Sequence, residues 1–185
     1  AYNFLVAQTC AQVLSSGLGN GQILNPRIYC IDEASTINGN LILDGQCNPD
    51  AVFIFQIDGA LSTSTFSTVT FINGASVCNV YWQVNGQVTL GENSVFRGNI
   101  IANGALNLLE NASLFGRGLS RAGAISLSTT NVDINQLPAP STIIINVGGP
   151  YCAGESLTLS GNCGGSWSTG STGSELTVTV SGDYF

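Results

Sequence analysis

The chain has 185 residues, enough for one domain of ordinary size and part of a second. Only 8% of the residues are charged, and 11 acids against 4 bases give a formal net charge of −7. This balance excludes the basic face that a nucleic-acid partner requires. No apolar run approaches the ~18 residues of a membrane-spanning helix, so we expect no membrane insertion.

The cysteine content points to an oxidising compartment. Six cysteines occur in a chain without histidine or a C-x-x-C pair, which excludes His-containing zinc sites and disfavours a thiolate metal site. Disulfides are the better interpretation, and they predict an extracellular or cell-surface protein. We also predict that the protein has no cofactor. No signal-like segment and no methionine are present, so we expect that residues before Ala1 have been removed.

The first predicted element is a helix. Its apolar stripe ends at Ser15-Ser16-Gly17 and comprises Tyr2, Val6, Cys10, Val13 and Leu14. Because Ala1 offers no capping side chain, we expect the helix to begin before Ala1.

After the loop at residues 17–26, a phrase of glycine followed by alternating apolar positions recurs. Its five copies are residues 39–43, 59–63, 86–90, 104–108 and 123–127, with glycines separated by 20, 27, 18 and 19 residues. This period is typical of a solenoid in which each copy belongs to one coil. The longest interval predicts an excursion around residues 65–73.

The alternation within the phrase predicts which side chains are buried. The inward set is Leu41, Leu61, Val88, Leu106 and Ile125, and the outward set is Ile42, Ser62, Thr89, Asn107 and Ser126. A second column points Phe55, Trp82, Ile100 and Leu119 inward and Ile54, Tyr81 and Ile101 outward. We predict that the helix covers the outward apolar residues of this second column.

The period breaks after Ile134. Residues 1–135 form the predicted β-helix, the Pro-rich residues 136–140 a linker, and residues 141–185 an incomplete β-sandwich. The sandwich strands are predicted at 142–147, 156–159 and 176–180. The fold class is therefore mostly β: a right-handed β-helix with one packed helix, followed by part of a sandwich.

Several segments resemble the large microbial ice-binding protein family, namely residues 48–57, 72–75, 79–84, 96–102 and 116–124. The resemblance implies a discontinuous right-handed β-helix with one long packed helix, and it implies that the family's N-terminal coils are absent here. Residues 141–185 resemble the immunoglobulin-like modules of secreted bacterial proteins, at 165–170 and 181–185. For the characterised members, the resemblance implies ice binding through a flat face of Thr, Ser, Ala, Gly and Asn.

The candidate ice-binding face consists of small polar residues at outward or neighbouring positions: Ser62, Ser64, Thr65, Thr68, Thr70, Thr89, Asn107, Ser126 and Ser128. The family's Thr-Ala/Gly-x-Thr/Asn pattern has no clean copy in this chain. These side chains could instead simply solubilise strand and turn positions. The predicted partner is the ice surface and its water.

Two other functions are weighed against ice binding. A cell-surface adhesin or filament-forming module would bind other copies of the chain and have no ice activity. A carbohydrate-active enzyme would need paired carboxylates on one face, but the acids fall mostly at turns, so we predict no catalysis. Tyr81, Trp82, Phe53 and Phe55 could form a sugar-stacking platform, although alternation favours core packing.

The six cysteines admit fifteen pairings. One pairing joins Cys10 to Cys30 and ties the predicted helix to the first coil, and another joins Cys152 to Cys163 in the second domain. Cys47 and Cys78 would then form a pair or remain as two buried thiols.

Overall fold

The computed structural model describes residues 1–48, 50–133, 157–160, 166–172 and 175–179. Residues 12–133 wind as a solenoid of six coils, each built from three short strands. In chain order, β1 to β18 are Gln12–Val13, Gly17–Gly19 and Gln22–Leu24 in coil 1; Ile28–Ile31, Ser35–Asn38 and Asn40–Asp44 in coil 2; Phe53–Ile57, Leu61–Thr63 and Thr68–Ile72 in coil 3; Val80–Val84, Val88–Leu90 and Val95–Arg97 in coil 4; Asn99–Ala102, Leu106–Leu108 and Ser113–Phe115 in coil 5; Gly118–Ser120, Ile125–Leu127 and Asn131–Asp133 in coil 6.

The coils stack into three parallel sheets. The first strands of all coils form sheet A, the second strands form sheet B, and the third strands form sheet C, each with six strands. Apolar side chains from all three sheets fill one continuous core, in which Trp82 stacks on Phe55 with ring centroids 3.9 Å apart. The predicted parallel β-solenoid is confirmed.

The predicted alternation is confirmed in sheet B and also in the first glycine phrase, but that phrase lies in sheet C. Leu61, Val88 and Leu106 are buried and in register with one another. Ile125 continues their column on β17 and is half exposed. Leu41 is buried in sheet C, where Ile42 points outward, so assigning the two to the sheet B columns was wrong. The same alternation suits any strand of a solenoid, so the phrase alone does not identify the sheet.

The extra residues of the longer coils lie at a different corner from the predicted one. Residues 65–73 were expected to be an excursion, but Thr68–Ile72 is strand β9. The additional length lies in the two corners from sheet C to sheet A, at residues 45–52 and 73–79. The second of these contains a 3₁₀ turn at Val77–Asn79, started by the Ser76 side chain accepting from the Cys78 N–H.

The helix is much shorter than predicted. Helix α1 spans Tyr2–Val6, and Gln12–Val13 instead forms β1 beside β4, with the Ala11 N–H donating to the Ile28 carbonyl at 3.0 Å. The Gln56 side chain ends the helix by donating to the carbonyls of Leu5 and Gln8, at 2.6 and 2.9 Å. The Leu5 carbonyl also accepts from the Gln8 N–H at 3.2 Å, so the end of the helix is held by backbone and side-chain donors together. The long helix implied by the family resemblance is therefore absent from the described residues.

The helix nevertheless covers sheet A as expected. Leu5 packs with Ile54 and Ile101, and Tyr2 and Tyr81 lie at the margin of this small cluster. The inward prediction for Leu119 was wrong, because it pairs with Ile101 and points outward, exposed to solvent. Gly118 takes the inward position beside Ile100. In the described chain, no helix is long and apolar enough to cross a bilayer.

The second predicted domain is described only in part. Strand β19, Leu157–Ser160, pairs antiparallel with β20, Glu175–Val178, close to two of the three predicted strands. The strand predicted at 142–147, the linker at 136–140 and both Cys152 and Cys163 lie outside the described residues.

The cysteine predictions are resolved in part. Cys10 and Cys30 form a disulfide, as predicted, although Cys10 follows the helix rather than lying within it. Cys78 is a free, exposed cysteine, whereas Cys47 is disulfide-bonded. Both alternatives for this pair, a mutual bond and two buried thiols, were therefore wrong.

A strained corner residue gives a stability prediction. Phe66 has a φ of 60° and is 70% exposed, while Asn93 and Asn111 adopt the same conformation in the following coils. Asparagine tolerates this left-handed region better than a bulky aromatic residue. We expect Phe66→Asn to raise the free energy of unfolding by about 1 kcal/mol, and the melting temperature by about 2–4 °C, in thermal denaturation.

The reverse substitution provides the control. Asn93→Phe places an aromatic residue at the equivalent corner and should lower the melting temperature by a similar amount. An unchanged or lower melting temperature for Phe66→Asn would contradict the argument, because it would mean that the ring's contacts outweigh the backbone strain.

Candidate surface-binding face

The outward side of sheet B carries a straight column of small polar residues. The central column contains one residue from each of coils 2 to 6 in direct register: Thr36, Ser62, Thr89, Asn107 and Ser126. Parallel strands repeat at about 4.8 Å, so these side chains form a row of that spacing. A solenoid thus converts a weak sequence repeat into a regular surface.

Two further columns flank the central one. Toward the corner with sheet A lie Ala34, Ala60, Gln87, Ala105 and Ala124, and toward the corner with sheet C lie Asn38, Ser64, Gly91, Leu109 and Ser128. We call these three columns the sheet B face. Gln87 and Leu109 are its two larger side chains, and none of its positions carries a charge. The face is therefore uncharged and built mostly of small side chains over several coils.

Hydrogen bonds between neighbouring coils hold side chains of this face in place. The hydroxyls of Thr36 and Ser62 are 2.9 Å apart and hydrogen-bonded, and the Ser64 hydroxyl donates to the Asn38 side-chain oxygen. Behind the face, the Gly91 N–H donates to the Thr63 hydroxyl at 2.7 Å. Side chains fixed in this way present hydroxyl and amide groups in a constant pattern, which favours recognition of an ordered surface.

The other two sheets lack such a surface. The middle strands of sheet A are covered by α1, and its edge strands expose Val13 and Leu119. On sheet C, the Ile23 side chain is 57% exposed. The sheet also carries Arg97, whose guanidinium donates to the Val69 carbonyl at 2.7 Å and lies 5.1 Å from the centre of the Phe115 ring. Burial lowers the pKa of Arg97 from its ordinary value. Bulky and charged side chains thus make sheet C uneven.

The structure divides the candidate residues among four places. Ser62, Thr89, Asn107 and Ser126 lie in the central column, and Ser64 and Ser128 lie in a flanking one. Thr65 is exposed at the corner after β8. Thr68 and Thr70 lie on sheet C, and both hydroxyls donate to the Asn40 side-chain oxygen at 2.8 Å.

Sequence reasoning missed Thr36 and Asn38. Their strand follows Glu33-Ala34 rather than a glycine, so it did not match the recurring phrase. The signal that could have found them is the Ser-Thr-Ile-Asn alternation 19 residues after Gly17-Leu18-Gly19, a separation close to the intervals of the shorter coils.

The aromatic residues considered as a sugar-stacking platform lie in the core or beneath the helix. Phe53, Phe55 and Trp82 are fully buried, and Tyr81 borders the cluster beneath the helix, so core packing is confirmed and the sugar-stacking platform was wrong. Among the described residues, no group of three or more Cys, Asp or Glu side chains could hold a metal ion.

Comparison with known proteins identifies relatives of the solenoid. The family model described as ice-binding-like matches residues 1–133. The chain is 33% identical over 137 residues to ice-binding protein 1 of Shewanella frigidimarina, covering 71% of this chain and 15% of that protein. It is 32% identical over 133 residues to an ice-binding protein of a Nostoc species, covering 71% of this chain and 49% of the relative. The chain thus spans at most about half the length of these two relatives.

Solved structures agree with the sequence comparison. An ice-binding protein from an Antarctic bacterium of the Flavobacteriaceae superposes with a TM-score of 0.68 at 44% identity, covering 71% of this chain and 31% of that one. The corresponding domain of Shewanella frigidimarina ice-binding protein 1 gives a TM-score of 0.69 at 33% identity, covering 73% of this chain and 59% of that one.

Proposed function

Because the chain belongs to the ice-binding-like family, we propose that it binds ice and that the sheet B face makes the contact. The observation that carries the proposal is the register of Thr36, Ser62, Thr89, Asn107 and Ser126 along one uncharged face. The relatives whose names state ice binding support the activity. Binding, rather than catalysis, is the proposed use of the fold.

The physical argument rests on what an ice surface offers. Ice presents water molecules at fixed spacings, so a complementary protein surface must be flat, rigid and free of strongly hydrated charges. The strands that carry the central column are spaced about 4.8 Å apart. The alanines of the flanking column leave apolar surface between hydrogen-bonding groups, so first-layer water can be ordered without competing charges.

We place Thr65 beside the contact rather than within it, because it lies at the corner. Thr68 and Thr70 are left outside, since sheet C faces a different direction and their hydroxyl protons are used on Asn40. Thr36 and Asn38 are added. The proposed site therefore combines Thr36 and Asn38 with six of the residues predicted from sequence: Ser62, Ser64, Thr89, Asn107, Ser126 and Ser128.

We also propose that the protein acts outside the cell. The Cys10–Cys30 disulfide supports this location, because such bonds persist in oxidising compartments. Residues 141–185 are proposed as an immunoglobulin-like module, supported by the antiparallel pairing of β19 with β20.

Ice recrystallisation inhibition by the intact chain tests the proposed activity. At micromolar concentration, crystals annealed with the protein should stay small while crystals annealed with an equal concentration of albumin coarsen. Coarsening at the same rate in both samples would reject ice binding and favour the alternative of an adhesive surface module.

A further inference from the structure

A groove lined by both polar and apolar side chains runs between α1 and the edge of sheet A at which the chain turns toward sheet B. Its volume is about 440 Å³, within the range of small-molecule sites. Tyr2 and Val6 form the helical wall, Gln56 and Gln83 come from neighbouring strands of sheet A, and Asp32, Asp58 and Asn85 line the opposite edge. The sheet B face contributes none of these residues.

Gln83 is the unusual member of this groove. It is only 4% exposed, yet no described residue donates to or accepts from its side-chain amide. The amide of its ladder neighbour Gln56, in contrast, donates to the carbonyls of Leu5 and Gln8. In the described residues, every fully enclosed side-chain nitrogen or oxygen has a hydrogen-bond partner. Because the Gln83 amide has none, it is not fully enclosed, and it must reach the groove that Gln83 lines. A buried amide without a protein partner is costly unless water or a ligand satisfies it.

The edge of the groove supplies hydrogen-bond acceptors. Asp32, Asp58 and Asn85 follow the ends of successive strands of sheet A, so they lie one above another. The Asn85 amide donates to Asp58 at 2.8 Å, and the Tyr2 hydroxyl donates to Asn85 at 3.1 Å. The remaining carboxylate oxygens accept only, so they favour a ligand rich in donors and repel anions.

We propose that this groove binds a small neutral polyhydroxylated molecule, such as one saccharide residue. Each sugar hydroxyl both donates and accepts, so it can donate to Asp32 or Asp58 while a neighbouring hydroxyl accepts from the Gln83 amide. A cation alone would leave the amide donors of Gln83 unused, and the described residues contain no three-ligand metal cluster. The site is independent of the proposed ice contact.

Titration of the ¹⁵N-labelled full chain with glucose, galactose and N-acetylglucosamine tests the proposal. At least one sugar should shift the side-chain amide resonance of Gln83 saturably, with a dissociation constant of about 1 mM. Gln83→Leu keeps the side-chain volume and removes the amide, and it should weaken binding at least about tenfold. Asp58→Asn should weaken binding severalfold, and this exposed substitution serves as the second test if Gln83→Leu fails to fold.

Gln87→Leu is the matched control, because Gln87 is exposed on sheet B and lies outside the groove. It should leave sugar binding unchanged. No saturable shift with any of the three sugars up to about 50 mM would overturn the proposal. Unchanged affinity in both groove variants, or a shift that requires added calcium, would also overturn it. Ice recrystallisation inhibition measured on Gln83→Leu separates the two sites, since it should equal that of the unaltered protein.

Discussion

If the chain binds ice as proposed, replacing Thr89 with tyrosine is expected to remove most of its thermal hysteresis. Thr89 lies at the middle of the central column, between Ser62 and Asn107. A tyrosine ring would project from the face and hold neighbouring groups away from a planar ice surface. We expect the affinity for ice to fall at least about tenfold, which corresponds to about 1.4 kcal/mol.

The matched control is Ser113→Tyr on sheet C. Ser113 is also a half-buried, outward strand residue, paired with Val95 and Asn131 in neighbouring coils. Tyrosine is tolerated on the outer side of a strand, so both variants should fold with similar melting temperatures. Equal loss of hysteresis in the two variants would contradict the assignment of the contact to sheet B, as would full activity of Thr89→Tyr.

The second large effect is expected in the core, at Trp82. This residue is fully buried, stacks on Phe55 at a centroid distance of 3.9 Å, and donates its indole N–H to the Arg97 carbonyl at 3.0 Å. Truncation of a buried aromatic residue to alanine costs about 3–5 kcal/mol. We therefore expect Trp82→Ala to lower the melting temperature by about 10 °C or more, measured by circular dichroism.

Trp82→Phe separates the ring from its hydrogen bond. The smaller aromatic side chain keeps a stacking partner for Phe55 but leaves the Arg97 carbonyl without the indole donor, so a loss of about 1–3 kcal/mol is expected. A Trp82→Ala variant as stable as the unaltered protein would show that the aromatic stack does not organise the core.

The solenoid could be predicted from sequence because its signal is repeated. Val88 and Leu106 share a glycine phrase and an alternation, and each coil places them in the same environment. Leu41 shows the limit of this reasoning. Its phrase has the same pattern, yet it lies in sheet C, because strands of sheets B and C share the same inward-outward alternation. Only the pairing of backbones between coils identifies the sheet.

The helix shows how tertiary contacts can override a local pattern. The positions from Tyr2 to Val13 fit a helical stripe, but the chain gains backbone hydrogen bonds to β4 by leaving the helix after Val6. The Gln56 side chain then closes the helix end from 51 residues away along the chain. Such a contact has no signature in the local sequence, so the helix end could not be predicted there.

The sequence could predict the residue types of the candidate face but not every residue that belongs to it. Small polar residues at outward positions identified Ser62, Thr89 and Asn107, because these belong to coils with a glycine phrase. Thr36 could not be found by the glycine phrase, because its strand follows Ala34 instead of a glycine. Thr68 is close in sequence to Ser62 and Ser64 but lies on a different surface. The corner between β8 and β9 turns Thr68 onto another sheet.

Ice-affinity partitioning shows whether the sheet B face contacts ice. A fluorescently labelled intact chain and its Thr89→Tyr variant would each be exposed to a slowly growing ice hemisphere, and the protein incorporated into the ice would be measured after melting. The sheet B assignment predicts that the unaltered chain is concentrated in the ice while Thr89→Tyr stays in the liquid. Exclusion of the unaltered chain, or equal incorporation of both, would contradict it.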